Sequence, residues 1–139
     1  MGVLELSILT VVCIAMWFFK EKKRPKLVFV VEDDPSDKLL FKIHVNLDNC
    51  IVEYFDSSES IVKEFFTRRP DVVMIDYYLK GKTRGDKLLR FCDNNNIDAF
   101  LVTGHEGDIL GVDKSRVVKK TARPEYYLEV QNRIMGAVS

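Results

Sequence analysis

An α/β fold, a doubly wound sheet of five parallel strands preceded by one hydrophobic helix, is the fold class predicted by three observations. Short continuous runs of β-branched and aromatic residues, such as LVFVV and DVVMI, have the pattern of strands buried on both faces. These runs alternate with segments whose apolar residues recur at spacings of three and four, the period of a helix packed on a sheet. Carboxylates, a hydroxyl or lysines stand directly after the apolar runs, at the strand ends where such sheets bind ligands. Composition agrees: 139 residues, 47% hydrophobic and 30% charged, describe one globular core and exclude a disordered or collagen-like chain. Lys plus Arg and Asp plus Glu are 21 each, so the whole chain carries no basic footprint of a nucleic-acid binder.

The first element is a block without a strand pattern. VLELSILTVVCIAMWFF, residues 3–19, holds one ionisable side chain, Glu5. As a helix it would reach about 26 Å, at the short end of what crosses a hydrocarbon core of roughly 30 Å. The basic segment KEKKRPK, residues 20–26, follows an aromatic junction at Trp17, Phe18 and Phe19. That order predicts a membrane helix over residues 1–19 with its basic flank, the 20–26 linker, on the cytoplasmic side. A cleaved signal peptide would carry its charge ahead of the apolar run, and myristoylation after Met1-Gly2 would call for Ser or Thr where Leu6 stands. A buried core helix is the competing reading of the block. Removing Glu5 (−1) and residues 20–26 (+4) from a total of zero leaves −3 for residues 27–139, a mildly acidic domain. Its two cysteines, Cys50 and Cys92, are too few for a disulfide framework or zinc site.

Leu27 to Val31 is the first predicted strand. Asp34-Pro35 then starts a helix, with an acid as N-cap and proline at the first helical position. Leu40, Ile43 and Leu47 predict that it runs to about residue 47 with those residues inward. Cys50 to Phe55 is a second strand; Ser57 opens a helix with Ile61, Val62, Phe65 and Phe66 at spacings of four, and Pro70 ends it. Asp71 to Ile75 is a third strand, Gly85 to Asn94 a helix with Leu88, Leu89 and Cys92 on one face, and Ala99 to Val102 a fourth strand. Arg116 to Val118 is a short fifth strand, and Pro124 starts a last helix with Tyr127, Val130 and Ile134 on its apolar face.

The residues beyond these strands are Glu32, Asp33 and Asp34 after the first, Asp76 after the third, Thr103 after the fourth and Lys119 after the fifth. Gathered carboxylates repel one another and call for a cation, and hard oxygen donors suit Mg²⁺ better than zinc. A lysine and a hydroxyl opposite them suit a phosphoryl group, so Asp76 reads as a nucleophile that forms an acyl phosphate. Asp34 reads as the N-cap instead of a ligand. His44, in the first helix of this unit, and His105, two residues past Thr103, do not form a catalytic pair.

VVEDDP, DVVMIDYYL, FLVTG and VVKK, in this order over residues 27–139, resemble the receiver domain of two-component response regulators. The resemblance implies the flavodoxin-like receiver fold and Mg²⁺ held by Glu32, Asp33, Asp76 and the backbone carbonyl of Tyr78. It also implies a phosphoacceptor at Asp76, a switch hydroxyl at Thr103 and a phosphoryl-pairing lysine at Lys119. The implied donor is a sensor histidine kinase or a histidine phosphotransfer protein, and the role is that of a signalling domain, not an enzyme. The chain departs from the family in several places. Lys120 and Lys80 stand where prolines are usual, the Gly81 to Arg84 loop is one residue longer, and the fifth strand lacks its aromatic residue. Thr103 and Lys119 are only 16 positions apart, and GHEGDILGVDKS has three glycines and little apolar periodicity. The fourth helix of the α/β unit is therefore predicted to be shortened or missing. With Ser139 closing the last helix, the sequence reads as a stand-alone, membrane-anchored phosphoacceptor in a phosphorelay, with an unknown downstream protein. The alternative is a membrane-anchored pseudo-receiver that binds protein without cycling phosphate.

Overall fold

A computed structural model describes residues 3–18, 23–81, 83–105, 107 and 109–139. Phe19 of the aromatic junction, residues 20–22 of the basic linker, and Lys82, Glu106 and Asp108 of the two unusual loops lie outside the described residues. The elements are α1 (Val3–Phe18), β1 (Lys26–Val31), α2 (Pro35–His44), β2 (Cys50–Phe55), α3 (Ser58–Phe65) and β3 (Val72–Asp76). They continue as α4 (Gly85–Asn94), β4 (Ala99–Thr103), a 3-10 turn (Lys114–Arg116), β5 (Val117–Lys119) and α5 (Pro124–Val138).

All five strands are parallel, in the order β2-β1-β3-β4-β5. Alternation along each strand divides the core in two. Val28, Val30, Val72, Met74, Phe100, Val102 and Val118 face α2 and α5, where Phe41, Tyr126, Val130 and Ile134 are buried. Phe29, Val31, Val73, Ile75 and Leu101 face α3 and α4, meeting Ile61, Leu88, Leu89 and Cys92. Both faces are thus covered, which is why β1 and β3 read as unbroken apolar runs. The chain order reverses between β1 and β3, so the crevice of the doubly wound sheet opens beyond the carboxyl ends of those two strands.

Several element readings change. The helix predicted to reach residue 47 ends at His44, where Val45 turns extended, and the Asn46 N–H bonds the Gln131 side chain of α5. Phe41, not Leu40 and Ile43, is the residue that α2 buries. Its ring meets Tyr54 edge-on, a larger apolar contact than either aliphatic residue offers. On α5 the buried row is Tyr126, Val130, Ile134 and Val138, four apart throughout, with Tyr127 half-buried at its side. Arg116 lies in the 3-10 turn, and β5 begins one residue later than predicted. Between β4 and β5 that turn is the only helical element among the described residues, in keeping with the glycine-rich sequence.

Residues 3–18 form a helix, but the reading of a membrane-crossing span is not upheld. No helix among the described residues is long and apolar enough to cross a membrane. The 16 residues of α1 would span about 24 Å. Neither is α1 a core helix: Ile8, Leu9, Val11, Val12, Ile14 and Met16 are all exposed.

Candidate functional site

The carboxyl ends of β1 and β3 place three acids together. β1 ends at Val31, so Glu32 and Asp33 follow directly; β3 carries Asp76 as its last residue, and Asp76 aligns with Val102 of β4. Glu32, Asp33 and Asp76 each offer a carboxylate oxygen, all within 4.8 Å of one another. Glu32 is 3% and Asp76 6% exposed, so these charges have lost most of their water. Burial first, then the charge of Glu32, pushes the Asp76 carboxyl up to about 6. The cluster is short of positive charge, and its donors are all hard oxygens, a set that fits Mg²⁺ or a similar divalent ion.

Local structure orients each acid. Glu32 Oε1 accepts the Asp34 N–H at 3.0 Å. Asp34 Oδ1 accepts the N–H groups of Ser36 at 2.7 Å and Asp37 at 3.2 Å, which hold its carboxyl below the usual range. Asp34 is therefore the N-cap of α2. Asp33 Oδ2 accepts the backbone N–H of Lys80 at 3.1 Å. Proline has no N–H, so the departure at residue 80 supplies a bond that the usual residue could not make. The Tyr78 backbone N–H favours the charged form of the Asp76 carboxyl and so partly opposes the effect of burial. Gly85 lets α4 start against this turn: a Cβ there would overlap the Asp76 carbonyl oxygen and lie 2.9 Å from Tyr77 Cα.

Thr103 ends β4 as a buried residue, and its hydroxyl accepts the His105 N–H at 3.0 Å. His105 Nδ1 lies 2.9 Å from the Tyr78 hydroxyl, so the loops after β3 and β4 are joined over the edge of the crevice. His44 is elsewhere, stacked on Tyr127 with ring centroids 4.7 Å apart.

Lys119 is not the lysine of this cluster. It aligns with Thr103 in the sheet and lines a groove of about 480 Å³ with His105 and Val117, on the face opposite Val118. The next residue turns to the other face. Lys120 Nζ lies 2.8 Å from Glu32 Oε2, 2.5 Å from Asp37 Oδ2 and 3.9 Å from Asp76 Oδ1. Burial disfavours the charge of this half-buried ammonium, but its hydrogen bonds to Asp37 and Glu32 outweigh that and raise its pKa. Among the described residues no peptide bond is cis, that after Lys120 included. The sequence reading missed Asp37 as well, because an acid in the first turn of a helix is ordinary. Only the meeting of α2 with the end of β5 shows its partner.

No family model matches the sequence, and no curated protein matches it. Solved structures do match. The phosphorylated cyanobacterial phytochrome response regulator RcpA is 16% identical, with 82% of this chain and 94% of that chain covered and a TM-score of 0.65. The Mn²⁺-bound response regulator Rcp1 is 17% identical, with 78% and 91% covered and a TM-score of 0.63. The receiver domain of the Francisella response regulator 1452 is 15% identical, with 81% and 95% covered and a TM-score of 0.61. At such identities the likeness speaks for architecture alone. The α/β part of this chain has the fold of response-regulator receiver domains.

Proposed function

We propose that the protein is a phosphoacceptor of a two-component phosphorelay, taking a phosphoryl group on Asp76 from a histidine kinase or a phosphotransfer protein. The observation that carries this reading is the placement of Glu32, Asp33 and Asp76 within 4.8 Å of one another, with the Lys120 ammonium 3.9 Å from Asp76 Oδ1. In the reaction an Asp76 oxygen forms a bond to phosphorus as the bond from phosphorus to the donor imidazole nitrogen breaks, and that nitrogen keeps the electron pair. Glu32, Asp33, Asp76 and the Tyr78 backbone carbonyl would hold Mg²⁺, which when bound offsets the negative charge of carboxylates and phosphoryl oxygens. Lys120, in the role the sequence assigned to Lys119, places a second positive charge where the phosphoryl oxygens arrive, and the Thr103 hydroxyl is a hydrogen-bond donor from β4.

Intact-mass analysis of the full chain with acetyl phosphate and Mg²⁺ tests the proposal. The expected result is one phosphoryl adduct that needs Mg²⁺ and is absent from Asp76→Asn; no adduct on the folded chain overturns it. That result would favour the pseudo-receiver reading, which is supported by the lack of a helix between β4 and β5 beyond one 3-10 turn among the described residues.

The exposure of Ile8, Leu9, Val11, Val12, Ile14 and Met16 of α1, followed in sequence by the basic 20–26 segment, supports a second part of the proposal. α1 holds the protein at a membrane, with the receiver-like unit on the cytoplasmic side.

A further inference from the structure

We infer that Asp37 is a positioning residue: it holds the Lys120 ammonium at the margin of the carboxylate cluster, so that a divalent cation can take Glu32 without competing with the lysine. The inference rests on the reading of Glu32, Asp33 and Asp76 as a cation site, and adds a residue that lies outside that set.

Both oxygens of Glu32 are engaged: Oε1 by the Asp34 N–H at 3.0 Å and Oε2 by Lys120 Nζ at 2.8 Å. The ammonium therefore already stands on an oxygen that a cation would use. Asp76 Oδ1, at 3.9 Å, attracts it but lies beyond hydrogen-bond reach. With a divalent ion bound among the three acids, the Lys120 ammonium on Glu32 would be repelled and would need another acceptor to keep its place. Asp37 is that acceptor. It projects from the first turn of α2, its Oδ2 is 2.5 Å from Nζ, and its side chain is 37% exposed, at the outer side of the cluster. An ammonium has three N–H groups, so Lys120 can give up Glu32, keep Asp37 and stay beside Asp76. Without the Asp37 charge, the lysine is left with Glu32 and Asp76 alone, the two buried acids that a cation also needs.

A double-mutant cycle on Mn²⁺ affinity tests this, with the full chain in detergent micelles and water-proton relaxation as the readout. No phosphoryl donor is present, so failure of the phosphoacceptor reading and failure of this one are separate results. Lys120→Gln is expected to tighten Mn²⁺ binding about fivefold or more, because it frees Glu32. Asp37→Asn should weaken binding about fivefold in the native background, less than about twofold beside Lys120→Gln, and Asp37→Glu should restore it. Equal losses in both backgrounds would mean that Asp37 acts through its own charge and not through Lys120, which overturns the inference. An unchanged affinity in Asp37→Asn, or no Mn²⁺ binding by the native chain, overturns it too. Asp37→Ser, compatible with a first helical turn, carries the same test if Asp37→Asn does not fold.

Discussion

Asp76 was legible because an ionisable side chain directly after VVMI is costly at the edge of a core unless something compensates it. Its raised pKa has a consequence for stability. Between the ordinary Asp value of 3.8 and about 6 the folded protein binds more protons than the unfolded chain, so the Asp76 contribution falls as pH rises through that window. Without metal, Asp76→Asn is therefore expected to be more stable than the native protein above pH about 6, by on the order of 1–3 kcal/mol, with no difference below pH about 4. Urea denaturation in EDTA across that range checks both the sign and the window. The two lysines were a harder case. Lys119 and Lys120 are equivalent in composition, and only the alternation of β5, set by the Thr103 to Lys119 alignment, sends the second toward Glu32. Lys120→Gln is expected to slow phosphorylation by acetyl phosphate about 10- to 100-fold and Lys119→Gln by less than about threefold, read as adduct formed against time.

Elements were predicted well where a strand or helix is framed by its own chemistry. Asp34-Pro35 starts α2, Ser57 caps α3 through the Ser60 N–H, and Pro124 opens α5. Faces were predicted less well, since which row of a helix is buried depends on the sheet beneath it, as the exchange of Leu40 and Ile43 for Phe41 shows. The start of α4 also depends on close approach: Gly85→Ala forces a methyl group against the Asp76 and Tyr77 backbone. The expected cost is about 2–4 kcal/mol, with a matching loss of phosphorylation, by thermal denaturation and adduct yield. Three-residue β5 is a short edge strand, and Arg116 fastens its start. The guanidinium donates to the Ala99 carbonyl from Nε at 3.0 Å and Nη2 at 2.7 Å, and pairs with Asp93 at 2.8 Å. Arg116→Ala should cost about 1.5–3 kcal/mol, seen as a lower denaturation midpoint at unchanged slope.

Across the whole molecule, the chain enters the sheet at Lys26 and the site lies past Val31, about 20 Å further along β1. The linker from α1 and the carboxylate crevice are thus at opposite ends of that strand, which leaves the crevice open to a donor if α1 lies at a membrane. Deleting residues 1–18 is expected to move the protein from the membrane fraction to the supernatant; unchanged sedimentation with membranes would sink that part of the proposal. The sequence by itself determined the parallel α/β architecture, because continuous apolar strands and amphipathic helices can satisfy their burial in few other ways. It also determined Glu32, Asp33, Asp76 and Thr103 as strand-end residues, since local pattern places strand ends. It did not determine the setting of α1, because hydropathy is a local sum, whereas what a helix packs against is not. Which lysine serves the acids, and that Asp37 shares it, were decided by tertiary structure alone. These depend on strand register and on the approach of α2 to the end of β5, contacts between residues 83 to 88 positions apart that no local pattern encodes.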